Sequence, residues 1–557
     1  MIDLIRLNCV NLLPLQLTEA LTDYEVLCKV LAKLNETIEQ MNSLSVDVSK
    51  LQAAFDALKA YVENYFDNLD VQEEINNKLD DMYKAGLFKE IMCGFCPDWF
   101  GADITGTTDA TDAFELAFTA AQSVGGFVFL NPESKYKLTQ QVMCTTSLFG
   151  NGAQIITDNP VLETGAKYDE SNEFQLYWKG VDNFVVNGLN ITDVTFDQYL
   201  RPLYPAKVAF SKCNHFELTD YTFNSQSYAY SVPFDVYASC MFFNIERVNV
   251  YKINAAKGGS WIRACYPNGI TQYGTVKNCN FTQMGGDESL AIWAQEGTVQ
   301  NIVVEDCYFN SLYVANNYQR VLLLAGGTVG TSQAQKTDNI TFKNCKLTCD
   351  YVPRTIVNMY PNAGTNGVVR FENFVFEVAG TDYHPTQTVG LLRGYQNKAL
   401  YDHCVVNVTT DRRVVDNCDI INDCVFTGQG NVAVIASNRV VDSVFNDCLY
   451  YGTVCRDCQS IITVTKDVIQ GQGKYYNCRW EFTGTGIKNF LMNSNGYLMY
   501  CHLNNLYLNS STGAALDKVN AYYCFFDSCT ASALITAPEI TTRNTYNAGL
   551  VNPPTNN

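Results

Sequence analysis

The stretch Gly285-Gly286-Asp287-Glu288-Ser289-Leu290-Ala291-Ile292-Trp293 sets two adjacent carboxylates after two glycines and before an apolar run. Adjacent residues of a regular strand point to opposite faces. Both acids therefore reach solvent together only in a turn or bulge, which Gly285 and Gly286 permit. A carboxylate pair exposed on one face suits acid and base work on an extended sugar chain; the bland reading is a solvated turn. Arg263 and Arg320 flank the pair in sequence and can hold a substrate carboxylate or phosphate, or pair with local acids. Trp261, Tyr266, Trp293, Tyr313 and Tyr318 lie around it and offer flat faces for sugar stacking, although any one of them reads equally as a generic surface aromatic.

The elements that must position these residues come from a repeated phrase, Asn/Asp-Cys-x-apolar. It occurs as Asn278-Cys279-Asn280-Phe281, Asp306-Cys307-Tyr308-Phe309, Asn344-Cys345-Lys346-Leu347, Asp423-Cys424-Val425-Phe426, Asp447-Cys448-Leu449-Tyr450 and Asn477-Cys478-Arg479-Trp480. The cysteine and the residue two along are apolar, which is the period of two of a strand with one buried face. From Cys404 the steps to Cys424, Cys448, Cys478, Cys501 and Cys524 are 20, 24, 30, 23 and 23 residues. That spacing fits one turn of a parallel β-solenoid with variable loops. Such a coil escapes the size limit of a single compact core, because each turn buries its face on the next. The 22 cysteines then read as small buried hydrophobes stacked along the coil, in the reduced state. On a solenoid, outward side chains of successive turns lie about 4.8 Å apart and can line up under an extended polymer. Glu305-Asp306 and His403 fall at or beside the slot before the repeat cysteine and read as turn chemistry, and His502 reads as a strand residue.

A formal charge of −19 and a pI near 4.7 oppose binding to nucleic acid, whose affinity comes mainly from Lys and Arg on phosphates. A neutral or cationic partner is easier to explain. Met1-Ile2-Asp3-Leu4-Ile5-Arg6-Leu7 has no signal-peptide character, and no run of about 18 apolar residues follows. The expectation is synthesis in cytoplasm without Sec export or membrane insertion. Leu44, Val48, Leu51, Phe55, Leu58, Val62, Tyr65 and Leu69 alternate in steps of four and three, and the seam continues back through Met41, Leu34, Val30 and Leu27 with only Thr37 out of character. This is a heptad seam and predicts an oligomer. Cys93-Gly94-Phe95-Cys96-Pro97-Asp98 reads as a hinge, and its two cysteines lack the second ligand pair that zinc requires. The expected organisation is an attachment segment at 1–26, a coiled-coil rod at 27–92, a β-solenoid at 93–545 and a tail at 546–557, with no cofactor and no metal.

Asp98-Trp99-Phe100-Gly101-Ala102-Asp103-Ile104-Thr105-Gly106-Thr107-Thr108-Asp109 leads into a short helix carrying Phe114, Ala117, Phe118 and Ala121, capped by Thr108 or Asp109, and then into Gly125-Gly126-Phe127-Val128-Phe129-Leu130. This order resembles the opening of the pectate-lyase-like right-handed parallel β-helix superfamily, and Leu148-Phe149-Gly150-Asn151-Gly152-Ala153 resembles its next turn. The resemblance implies a mostly β chain, a right-handed parallel β-helix whose open end the helix plugs. The stretch from Gly285 to Trp293 resembles the Gly-Asp-Asp motif of the polygalacturonase-like branch, which makes Asp287 and Glu288 the leading catalytic candidates. The branch's earlier aspartate is matched only by Asn268 in Tyr266-Pro267-Asn268-Gly269, and its Gly-His-Gly stretch has no counterpart. A hydrolase would pair Asp287 or Glu288 with Glu296, Asp235 or a carboxylate of a neighbouring chain, about 5–5.5 Å away for retention or about 6.5–9.5 Å for inversion. Attachment segment, rod and β-helix together resemble bacteriophage tailspikes and tail or neck appendages. That likeness implies a homotrimer on the virion, joined to tail or neck proteins through residues 1–40, which recognises a host-surface polysaccharide and depolymerises it as a hydrolase or lyase. The alternative is a receptor-binding or structural appendage without enzymatic activity.

Overall fold

The computed structural model describes residues 93–546 apart from 159–173, 195–205, 226–230, 253–258, 285–287, 314–319, 327–335, 362–366, 383–389, 395–397, 410–411, 464–467, 471–472, 485–488, 493–496, 505, 510–519, 528–529 and 532–544. The expected attachment segment and rod lie outside the described residues, as do Asp287, Tyr318 and the tail beyond Tyr546.

The described chain winds in coils of three strands. One coil runs Val232–Ala238, Met241–Glu246 and Asn249–Lys252, and the next runs Ser260–Arg263, Ile270–Lys277 and Asn280–Met284. Each strand pairs in parallel with its counterpart one coil on, as in Asp235↔Trp261, Phe243↔Gly274 and Val250↔Phe281. Three parallel stacks result, here termed first, second and third in the order of those strands, and the protein is a parallel β-helix. Its crossovers are of the kind that is right-handed in nearly all parallel sheets.

The repeated phrase marks the corner between the second and third stacks. Asp220, Arg247, Asn278, Asp306, Asn344, Asn373, His403, Asp423, Asp442, Asp457 and Asn477 all stand there with φ between 46° and 56°. Asn and Asp tolerate this left-handed conformation best, which explains their recurrence. The next residue turns into the core: Cys279, Cys307, Cys345, Cys404, Cys424, Cys458 and Cys478 are buried. Each of the first three thiols donates to the carbonyl two residues back, at 3.2 Å, so a small side chain is buried with its S–H satisfied. The slot also holds Tyr221, Val248, Phe374 and Ser443. Cys448 does not occupy it. Cys448 lies inside the strand Val444–Tyr451, and Asp442-Ser443 and Asp457-Cys458 supply the missing corners. The long steps around Cys448 thus concealed a coil whose slot residue is serine.

Core aromatics stack from coil to coil, with Phe281 on Phe309 at 5.2 Å and Phe371 on Tyr401 at 5.0 Å between ring centres. The helix Thr111–Ser123 closes one end and buries Phe114, Ala117, Phe118 and Ala121. Phe118 meets Trp178 edge to face at 6.2 Å. The Asp109 carboxylate accepts from Thr111 N–H at 3.2 Å, as expected of a cap, although Ala110 holds the formal cap position. Asp103 accepts from the N–H groups of Thr105, Thr107 and Thr108 at 2.7–2.9 Å, and with the Thr105 and Thr107 hydroxyls these hold its carboxyl far below the usual range. Cys93–Asp98 is no hinge: Gly94 and Phe95 already pair with Phe127 and Val128 in the second stack.

The first stack differs from the others in being buried on both faces. Ala206–Ser211 is buried throughout, and Ser260–Arg263 likewise. Besides the main core, a second apolar cluster lies outside this stack, made of Phe174, Tyr177, Ala206, Ala209, Val232, Trp261, Ala291 and Leu323, with Tyr237 and Trp293 against it. That outer layer carries Trp261 and Trp293, singled out in the sequence, and Asp235 shares its register.

Candidate functional site

Register builds the site. Ala209, Asp235, Trp261, Ala291 and Leu323 are consecutive partners across five coils and form one outward file. Arg263 and Trp293 pair two residues along and form part of a second file. The coil thus turns residues separated by about thirty positions in sequence into neighbours about 4.8 Å apart.

Asp235 and Arg263 form the centre. Arg263 Nε lies 3.0 and 2.9 Å from the two Asp235 carboxylate oxygens, and Nη2 also donates to Oδ2. Asp235 is 0% and Arg263 6% exposed. Burial pushes the Asp235 carboxyl up from its usual value, against the opposing pull of the guanidinium. The guanidinium also lies over two rings, 4.3 Å from the centre of Trp261 and 4.8 Å from that of Tyr237. Tyr237 meets Tyr266 edge to face at 5.8 Å, and Lys212 Nζ stands 4.9 Å above Tyr266. Gln295 Oε1 accepts from Arg263 Nη1 at 3.5 Å and from Cys265 Sγ at 3.3 Å.

A second ion pair lies at the edge, with Arg320 Nη2 3.0 Å from Glu288 Oε1. Glu288 is buried, with 5% of its surface exposed, so it does not face solvent beside Asp287 as the acidic-turn reading expected. The reason is packing: a Cβ on Gly259 would stand 2.1 Å from the Glu288 carbonyl, so the chain at Glu288 is pressed against the preceding coil and its carboxylate is matched by Arg320 instead of water. Asp235 likewise is not an open acid. Three residues along the strand and two strands across separate Asp235 from Glu288, about 14 Å at the backbone. Each carboxylate is committed to its own arginine.

Of the remaining candidates, Glu296 is half-buried on the loop after Trp293, its N–H bonded to Ala264 O at 2.9 Å. Asn268 is exposed in the turn that Gly269 closes on Tyr266, with φ of 60°. Tyr266 and Trp293 are half-buried. The structure therefore gathers Asp235, Arg263, Tyr266, Trp293 and Glu296 in one outer region and places Glu288 and Arg320 at its margin. Tyr237, Lys212 and Gln295 were missed from sequence. Tyr237 stands two residues after Asp235 and shares its face by strand alternation, a signal readable only once the strand was known. Among the described residues no cluster of His, Cys, Asp and Glu is arranged to hold a metal, and no helix is long and apolar enough to cross a membrane.

No protein-family model matches the chain, and no curated protein matches it in sequence. Its neighbours among solved structures are phage tailspike proteins, pectin-degrading β-helix enzymes and bacterial surface proteins. It is similar to the surface protein and adhesin PfbA of Streptococcus pneumoniae, with 9% identity over 67% of this chain and 98% of that chain and a TM-score of 0.36. An exopolygalacturonase from Thermotoga maritima shows 10% identity over 79% and 91% of the two chains, with a TM-score of 0.32. The tailspike protein of E. coli bacteriophage HK620, solved in complex with a hexasaccharide, shows 8% identity over 76% and 75%, with a TM-score of 0.35.

Proposed function

We propose that the chain is a virion appendage that recognises a host-surface polysaccharide on the outer face of its first stack. The observation that carries this reading is the layer of Tyr237, Trp261, Tyr266 and Trp293, held rigid around the Asp235–Arg263 pair and repeating along the coil axis. The half-buried Tyr237, Tyr266 and Trp293 on a stiff scaffold suit stacking on sugar rings at little entropic cost. The heptad seam in residues 27–92 supports a homotrimer, and the resemblance of residues 10–40 to particle-attachment ends supports a junction with tail or neck proteins through residues 1–40. A depolymerase is the second reading. It is favoured by Glu296, a carboxylate not committed to the two arginines and anchored within the aromatic region, with Asp287 next in sequence to Glu288 as its candidate partner.

One experiment separates the readings. Purified host polysaccharide is incubated with the protein and its Tyr266→Ala/Trp293→Ala and Asp287→Asn/Glu296→Gln variants, and both binding and release of reducing or unsaturated ends are measured. Loss of binding in the aromatic variant with folding intact is expected. Parental binding by that variant refutes the site. End release by the parent that the acid variant lacks establishes the depolymerase, and binding without any release establishes the adhesin.

A further inference from the structure

Lys207 and Asp193 form a further ion pair, separate from the Asp235–Arg263 and Glu288–Arg320 pairs. Both side chains are 0% exposed, and Lys207 Nζ lies 3.2 Å from Asp193 Oδ1. Asp193 ends the strand Asn190–Asp193 of the third stack, and Lys207 is the second residue of Ala206–Ser211 in the first, so they meet where the chain passes between stacks. Two hydroxyls reach the same carboxyl group: Thr157 Oγ1 donates to Oδ1 at 3.2 Å, and Ser231 Oγ donates to Oδ2. Lysine is almost never fully buried, and an ion pair without water is held against a large desolvation cost. Transfer of one proton across the contact removes both charges and leaves a neutral amine beside a neutral carboxylic acid.

We propose that Lys207 and Asp193 join in an intramolecular isopeptide bond. One proton passes from the ammonium to the carboxylate, and the freed Nζ electron pair attacks Asp193 Cγ. Negative charge then develops on the carboxyl oxygens, where the Thr157 and Ser231 hydroxyls already donate. The C–O bond to one oxygen breaks, and that oxygen leaves as water with the transferred proton and one from nitrogen. The product is an amide, with the other oxygen as its carbonyl. No oxidant, reductant or co-reactant enters. The bond would close the connection from Asp193 to Lys207 into a covalent loop beside the outer apolar layer and replace two buried ions with one neutral group.

Mass spectrometry of the full chain tests this. The intact protein is expected to weigh one water less than its sequence mass. Trypsin is expected not to cut after Lys207, and chymotrypsin, cutting after Phe196 and Tyr199 in the denatured chain, should release a branched peptide in which Lys207 and Asp193 are joined. Lys207→Arg should restore the full mass. Full mass in the parent, with free peptides holding Lys207 and Asp193, overturns the proposal whether or not the variant folds. A one-water deficit confined to an unbranched Asp193 peptide also overturns it, because that is a cyclised aspartate.

Discussion

Replacing Asp235 with Asn should open the first stack locally while leaving shape almost unchanged. The substitution removes the carboxylate that accepts from Arg263 Nε and Nη2 and leaves a guanidinium 6% exposed. Breaking such a pair from one side costs about 3–5 kcal/mol, whereas replacing both partners with uncharged groups is close to neutral. The double variant Asp235→Asn/Arg263→Met should therefore lie near the parent. Because a solenoid unfolds in parts, the proper assay is hydrogen exchange on peptides covering Val232–Ala238 and Ser260–Arg263. At about 1.4 kcal/mol per factor of ten, the single variant should exchange there roughly a hundred- to several thousand-fold faster. Arg263→Met alone gives the opposite dependence on pH from a usual acid. Burial already raises the folded pKa of Asp235, and losing the guanidinium raises it further. Folding then favours the protonated acid, so stability is full below the unfolded value of about 3.9 and is lost as pH rises through the folded one. A single Asp235→Asn variant within about 1 kcal/mol of the parent, or a double variant as weak as the worse single one, would refute the coupling.

The cysteine slot and the oligomer give two further tests. Cys279, Cys307, Cys345, Cys404, Cys424, Cys458 and Cys478 are buried free thiols, whereas Cys93 and Cys265 are half-buried, so native labelling should be quick at the latter two and slow at the ladder. Unfolding without reductant should then expose every thiol, and a native disulfide between slot cysteines would break the account. Sedimentation equilibrium of the full chain should give a trimer, and a truncation starting at Cys93 should sediment as a smaller species; a monomeric full chain ends the trimer proposal.

The coil was legible in sequence because one corner of it has a steep conformational requirement. A left-handed residue followed by a small inward side chain favours Asn or Asp followed by Cys, and that pair recurs at the corners of Asn278, Asp306, Asn344, Asp423, Asp457 and Asn477. Legibility failed where the corner was filled differently. Arg247-Val248, Asn373-Phe374 and Asp442-Ser443 serve the same geometry without cysteine, and Asp447-Cys448 carried the phrase, with Asp447 at φ of 52°, to a different bend, between the third stack and the next strand of the first. The end-plugging helix was readable because its apolar stripe, Phe114, Ala117, Phe118 and Ala121, is a local pattern.

The site was readable only in its members. Asp235, Arg263, Tyr266 and Trp293 were selected by residue type and proximity to an acidic turn, and the register does gather them. Their ionisation and exposure, however, depend on which outward file is covered, and coverage of the first stack is not a periodic property. Its strands are apolar on both faces, as in Leu290–Ala294 with Leu290, Ala291 and Ile292 all buried, and a run of that kind does not say which side holds the core. The consequence bears on chemistry. A carboxylate placed under such a layer meets arginine before it meets substrate, as Asp235 and Glu288 do. The acids left for catalysis are those on the loops between stacks, where Glu296 stands and where Asp287 falls in sequence. On the proposed reading the rigid files would supply flat rings and fixed charge for recognition, while any cleavage would belong to the loops; the paired aromatic and acid variants separate these two contributions.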